Sequence, residues 1–157
     1  MNKEKNINRE KGGETVFYVL LVSHGDFAPG LHSALRMIAG DRDNVLSTSL
    51  RDGMGADEYA ARVESLLGGI RPEDRIVVLA DILGGSPLTT AMKVLADHGL
   101  LAHTRAFGGM SLPMALTLVL TGENLADTVL ADTLITETCG AVKELELDTS
   151  AEAEDDI

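Results

Sequence analysis

The chain has 157 residues, room for one compact domain and not for a second. Its hydrophobic content is 45% with only 3% aromatics and no Trp, so Ala, Val, Leu, Ile and Met must build the core, as suits helices packed on a parallel sheet. A formal net charge of −12 argues against nucleic acid as a partner, and the single cysteine, Cys139, rules out an intramolecular disulfide and fits a reducing cytoplasm.

Residues 1–14 mix Lys3, Lys5, Arg9 and Lys11 with Glu4, Glu10 and Glu14. They lack an apolar h-region, so they read as a disordered segment rather than a signal peptide. The domain itself is expected over residues 15–147. The run Val16 to Val22 has the continuous apolar, β-branched character of a strand covered on both faces. After the short segment Ser23 to Gly30, Leu31, Ala34, Leu35 and Ile38 recur at helical spacing and predict an amphipathic helix that ends at Gly40.

The alternation then repeats. Val45 to Leu50 is a second strand, and Tyr59, Val63, Leu66 and Leu67 mark a second helix before Gly68 and Gly69. Ile76 to Ala80 is a third buried strand, followed by the turn Asp81 to Pro87 and a helix with the stripe Leu88, Ala91, Met92 and Leu95, stopped by Gly99. A weaker strand around residues 102–107 leads through Gly108 and Gly109 into a helix to about Leu120, and another helix starts near Asn124.

Strand then helix, four times over, predicts a doubly wound, mainly parallel four-stranded α/β sheet with helices on both faces. Val142 to Leu147 partly alternates and could extend the last helix or form an edge strand. Residues 148–157, with Glu152, Glu154, Asp155 and Asp156, read as an acidic disordered tail. Every strongly apolar stretch stops well short of the ~20 residues of a membrane helix, so no direct membrane insertion is expected.

In such a sheet ligands bind beyond the C-terminal ends of the strands. The first and third strand ends should bring His24 close to Asp81 and the turn Gly84, Gly85, Ser86. An imidazole attacks phosphorus through one ring nitrogen when the other carries the proton, and a carboxylate accepting that N–H fixes the tautomer. Gly84 and Gly85 allow close backbone approach, and Ser86 followed by Pro87 reads as an N-cap whose helix offers N–H groups to phosphoryl oxygens. Each of these residues also has a purely structural reading, as a cap or a tight turn; their convergence is what favours a site.

His32, His98 and His103 share no metal-ligand spacing with His24, so no metal is assigned. A dinucleotide fingerprint and a P-loop are both absent from the strand-to-helix turns, and no cofactor is expected.

Three motifs then resemble one family: Val22, Ser23, His24, Gly25 at a strand end, Ala80 to Pro87, and the later turn Gly108 to Met114. Over roughly Phe17 to Leu147 the chain is similar to mannose-type IIA proteins of the phosphoenolpyruvate-dependent sugar phosphotransferase system. The resemblance implies that His24 is the phosphorylated histidine, Asp81 its orienting carboxylate, and Ser86 the hydroxyl beside the phosphoryl group. It implies HPr as phosphoryl donor and a IIB component on a separate chain as acceptor during sugar uptake. It also implies a cytoplasmic homodimer, with Val142 to Leu147 as the candidate exchanged edge strand.

Ile82 and Leu83 depart from the Thr and Trp of some relatives. Two other readings stand beside transport. A regulatory IIA protein would be phosphorylated without onward transfer. A histidine-phosphatase-like hydrolase would use Ser23, His24, Gly25 as its Arg-His-Gly motif, but Ser23 stands where the arginine should.

Overall fold

The apolar run that begins the domain forms β1, Phe17–His24, buried along its whole length except at His24. It belongs to a computed structural model that describes residues 13–148; most of the N-terminal segment and nearly all of the acidic tail lie outside them. The elements follow as α1 (Phe27–Ala39), β2 (Val45–Leu50), α2 (Ala56–Leu66), β3 (Arg75–Ala80), α3 (Ser86–Asp97), β4 (Thr104–Phe107), α4 (Leu112–Thr121), a 3₁₀ turn (Gly122–Asn124) and α5 (Asp127–Ala141).

All the strand pairs are parallel, in the order β2-β1-β3-β4. Period-two alternation sends neighbouring side chains of each strand to opposite faces. Val19, Leu21, Val77 and Leu79 pack with Leu31 and Leu35 of α1, Leu118 of α4, and Leu130 and Leu134 of α5. Leu20, Val22, Ile76 and Val78 pack with Tyr59 and Val63 of α2 and Leu88, Ala91 and Leu95 of α3. Two apolar layers therefore sandwich the sheet, which is why the inner strands show no polar alternation. Each fully buried Leu or Val contributes about 1.5–3 kcal/mol relative to exposure.

The first helix begins at Phe27, one turn earlier than its apolar stripe suggests. Its buried positions are Ala28, Leu31 and Leu35, while Ile38 is 60% exposed. The cause is Ser23, whose buried hydroxyl accepts the Ala28 N–H at 2.7 Å and satisfies one of the helix's open donors before the stripe starts. Residues 142–148 follow α5 without regular structure and with their side chains exposed, so within one chain they neither extend the helix nor add a strand.

The chain leaves β1 through α1 to reach β2 on one side, then crosses back through α2 to β3 on the other. The direction reverses between β1 and β3, and α1 and α3 start there on opposite faces of the sheet. That opens a crevice at the C-terminal ends of these two strands.

Candidate functional site

His24 ends β1 and Asp81 immediately follows β3, so the crevice brings together two residues 57 positions apart. The Asp81 Oδ2 atom accepts the backbone N–H of His24 at 2.9 Å and lies 2.9 Å from its ring Nδ1. The other oxygen accepts the Ile82 N–H at 2.8 Å. An ionised carboxylate only accepts, so Nδ1 carries a proton, and in the neutral form of the ring Nε2 is the nitrogen with the free lone pair. The His24 side chain is 45% exposed, whereas that of Asp81 is 16% exposed.

Partial burial by itself would raise the Asp81 pKa. Hydrogen bonds from the His24 backbone, the His24 ring and the Ile82 N–H outweigh it and hold the carboxyl below the ordinary carboxylate value. The carboxylate is thus charged at neutral pH and steadies any positive charge that develops on the imidazole.

The turns around this pair are shaped to keep it open. Gly25 sits at φ +56°, a conformation that costs other residues strain, and its N–H donates to Leu50 O at 2.9 Å as the chain turns out of β1. A Cβ on Gly85 would lie 3.1 Å from the His24 Cε1 atom, so a side chain there would press on the ring. A Cβ on Gly108 would meet Leu83 even more closely, and the turn after β4 is tied to the site by Gly109 N–H donating to Asp81 O (3.2 Å) and Met110 N–H donating to Ala80 O (2.9 Å).

The N-cap of α3 is Gly85, not Ser86. Gly85 has the extended backbone of a cap, and its carbonyl accepts both the Thr89 N–H (3.0 Å) and the Thr89 hydroxyl (2.8 Å). Ser86 becomes the first helical residue and is exposed.

Met110 and Met114 are buried in the core beneath the site. His32 bonds Ser47 at 2.8 Å between α1 and β2, and His98 bonds Val94 O at 2.9 Å and reaches Glu64 on α2. Among the described residues no three His, Cys, Asp or Glu side chains gather as a metal site.

The sequence marks Ile82 and Leu83 only as departures from the Thr and Trp of some relatives, and the structure adds that both stand open beside the crevice. They are 57% and 73% exposed. Sequence reasoning passed over the Arg51–Asp26 ion pair, 3.1 Å, across the neighbouring strand end. The cavities of about 410, 360 and 380 Å³ on the surface include neither His24 nor Asp81 in their lining.

A family model described as the PTS system fructose IIA component matches residues 18–134. The chain belongs to this IIA family. Its matched span contains His24, Asp81 and every turn that shapes the crevice. The PTS system fructose-specific EIIA component of Bacillus subtilis (strain 168) is 28% identical over 108 residues, covering 69% of this chain and 72% of that protein.

Among solved structures, the mannose/sorbose specific IIA subunit of the phosphotransferase system from Enterococcus faecalis is 25% identical. It superposes with a TM-score of 0.70 over 85% of this chain and 97% of that one. The phosphotransferase system component EIIA from Streptococcus agalactiae, 23% identical, has the same fold, with a TM-score of 0.68 over 82% and 97%.

IIA components are phosphotransferase carriers, so membership places the chain in phosphoryl transfer during sugar uptake, with HPr and IIB components as the general partners of the family. No helix among the described residues of this IIA chain is long and apolar enough to cross a membrane.

Proposed function

We propose that this IIA protein carries a phosphoryl group on His24 Nε2, taken from phospho-HPr and passed to a IIB component. The observation that carries the reading is the 2.9 Å contact of Nδ1 with Asp81, which places the single proton of the neutral ring on Nδ1 and makes Nε2 the nucleophile of a half-exposed side chain.

The step balances without a cofactor. The Nε2 lone pair attacks phosphorus, the donor's P–N bond breaks, and the electron pair returns to the donor imidazole. His24 then bears an N–P bond and a positive ring, which the Asp81 carboxylate stabilises through Nδ1–H. Gly84 and Gly85 keep the approach clear, and the Ser86 hydroxyl with the open N–H groups of α3 receives the phosphoryl oxygens. Onward transfer to IIB is the same step reversed on a new acceptor.

An open site bordered by exposed Ile82 and Leu83 suits a donor and an acceptor that are themselves proteins. The phosphatase reading loses ground at Ser23. That residue is fully buried, and its hydroxyl is engaged by Ala28, so it has no path to a phosphate.

The carrier functions as a cytoplasmic homodimer over residues 15–147. Val142, Leu145 and Leu147 are all exposed in the single chain, which supports their exchange onto a second copy as an edge strand. Ending the chain after Ala141 should turn the dimer into a monomer, as read by light scattering; a dimer that persists refutes the exchange.

Transfer of labelled phosphate from phosphoenolpyruvate through enzyme I and HPr tests the main reading. An acid-labile, base-stable label that disappears in His24→Ala is expected. Normal labelling of His24→Ala would refute the assignment.

A further inference from the structure

Tyr59 of α2 is 1% exposed and sits in the apolar layer with Val63, Leu88 and Ala80. As a core residue it has no need of a hydroxyl, since phenylalanine fills nearly the same volume. A buried hydroxyl costs free energy unless it is bonded. This one donates to the Pro87 carbonyl at 3.2 Å, in the first turn of α3.

The Pro87 carbonyl shares its peptide unit with the Leu88 N–H. Pro87 itself has no N–H. The first α3 donor to close back on the backbone is Thr89, onto Gly85 O, so Ser86 and Leu88 carry the N–H groups that the helix leaves open. The same turn borders His24: a Cβ added at Gly85 would come within 3.1 Å of Cε1, the carbon between the two ring nitrogens.

A donor placed on a peptide carbonyl polarises the unit and strengthens its N–H at the other end. The bond also spans two helices, so it sets where the first turn of α3 stands relative to the strand ends. Burial first, and then the charge of Asp81, push the phenol's pKa well above its ordinary value. The hydroxyl therefore remains a donor at neutral pH, and it lies close enough to Asp81 to feel its charge.

We infer that Tyr59 is a positioning residue for phosphoryl transfer: through the Pro87 carbonyl it holds the first turn of α3 against His24 and strengthens the Leu88 N–H toward the phosphoryl oxygens. This rests on the reading of His24 as the acceptor. Labelling of the wild-type protein tests that reading, and the variants test Tyr59.

Tyr59→Phe and Val63→Ala are compared with wild type by steady-state transfer from phospho-HPr, thermal unfolding, and ¹H–¹⁵N spectra of the unphosphorylated protein. In Tyr59→Phe, kcat should fall roughly three- to tenfold, the change expected from one lost hydrogen bond. The KM for phospho-HPr should hold, and the Leu88 amide proton should move upfield. Val63→Ala thins the same helix layer without touching Pro87, so it should lower Tm and leave both kcat and the Leu88 resonance in place. Wild-type kcat in Tyr59→Phe, or an equal loss in Val63→Ala, overturns the inference. An unlabelled His24 in the wild-type protein overturns the acceptor reading and this one with it.

Discussion

Two aspartates flank β3, and each ties down the backbone of β1 at one end of the sheet. Before the strand, Asp74 accepts the Val16 N–H at 2.8 Å; after it, Asp81 accepts the His24 N–H at 2.9 Å. The device is the same and the surroundings differ. The Asp74 side chain is 0% exposed and also holds the Arg71 N–H and its guanidinium, both part of the chain's own frame. Asp81 instead spends one oxygen on an imidazole that opens to solvent. A carboxylate closed in by fixed donors can only stabilise, whereas one that shares an oxygen with an exposed ring can also serve chemistry.

That contrast is broken most severely by Asp81→Asn. An amide cannot hold Nδ1–H and accept charge as a carboxylate does, and its NH₂ favours the opposite tautomer, with the proton on the nucleophilic nitrogen. Phosphoryl transfer to His24 should slow by about 10²–10⁴-fold, while circular dichroism stays close to wild type. A variant that transfers at the native rate would remove Asp81 from the mechanism.

Asp74→Ala should show the reverse. It strands two backbone N–H groups and leaves the partly buried Arg71 short of a partner, a loss of about 3 kcal/mol in stability. Urea unfolding should record that loss. The surviving folded protein should accept phosphate at a rate within about twofold of wild type, because nothing that touches His24 has changed. A large rate loss in folded Asp74→Ala would show that the two strand ends are coupled.

The fold was legible in the sequence because each strand is a short apolar run and each helix a periodic stripe. Two buried layers leave few other ways to arrange them. The start of α1 was not, because Ser23 caps it from inside a strand, a tertiary choice that no local pattern announces. The pairing of His24 with Asp81 could be expected from topology alone, since the winding reverses between β1 and β3. The Gly85 cap displaced Ser86 because both residue types favour that position, and one residue of slippage is invisible to a motif. Asp74 gave no signal, and Tyr59 gave only that of an apolar helix stripe: a charge before a strand and an aromatic on an apolar face look ordinary until their partners, 58 and 28 positions away, are in place.

Gly85→Ala probes the functional end more gently. The backbone there is at φ −69°, which alanine adopts freely, so the native conformation carries no penalty and the unfolded chain loses freedom. The added methyl, however, meets the His24 ring at 3.1 Å and must displace it by a few tenths of an ångström. Stability should change by less than about 1 kcal/mol, while transfer falls several-fold. Unchanged transfer would mean that the ring has more room than the contact suggests.

The smallest effect separates the same two functions within Asp81 itself. Its pKa is depressed from an ordinary 3.8 by donors that exist only in the folded chain. The stabilisation that these bonds confer is therefore fully present above that ordinary value and is lost as pH falls through the lower, folded-state pKa. The stability gap between wild type and Asp81→Asn, measured by urea unfolding from pH 7 downward, should hold steady to about pH 5 and then narrow. A gap that stays constant to pH 3 would mean that the bonds from His24 and Ile82 do not favour the ionised carboxylate. The case for His24 being oriented through a charged partner would then fail even if Asp81→Asn still transferred slowly.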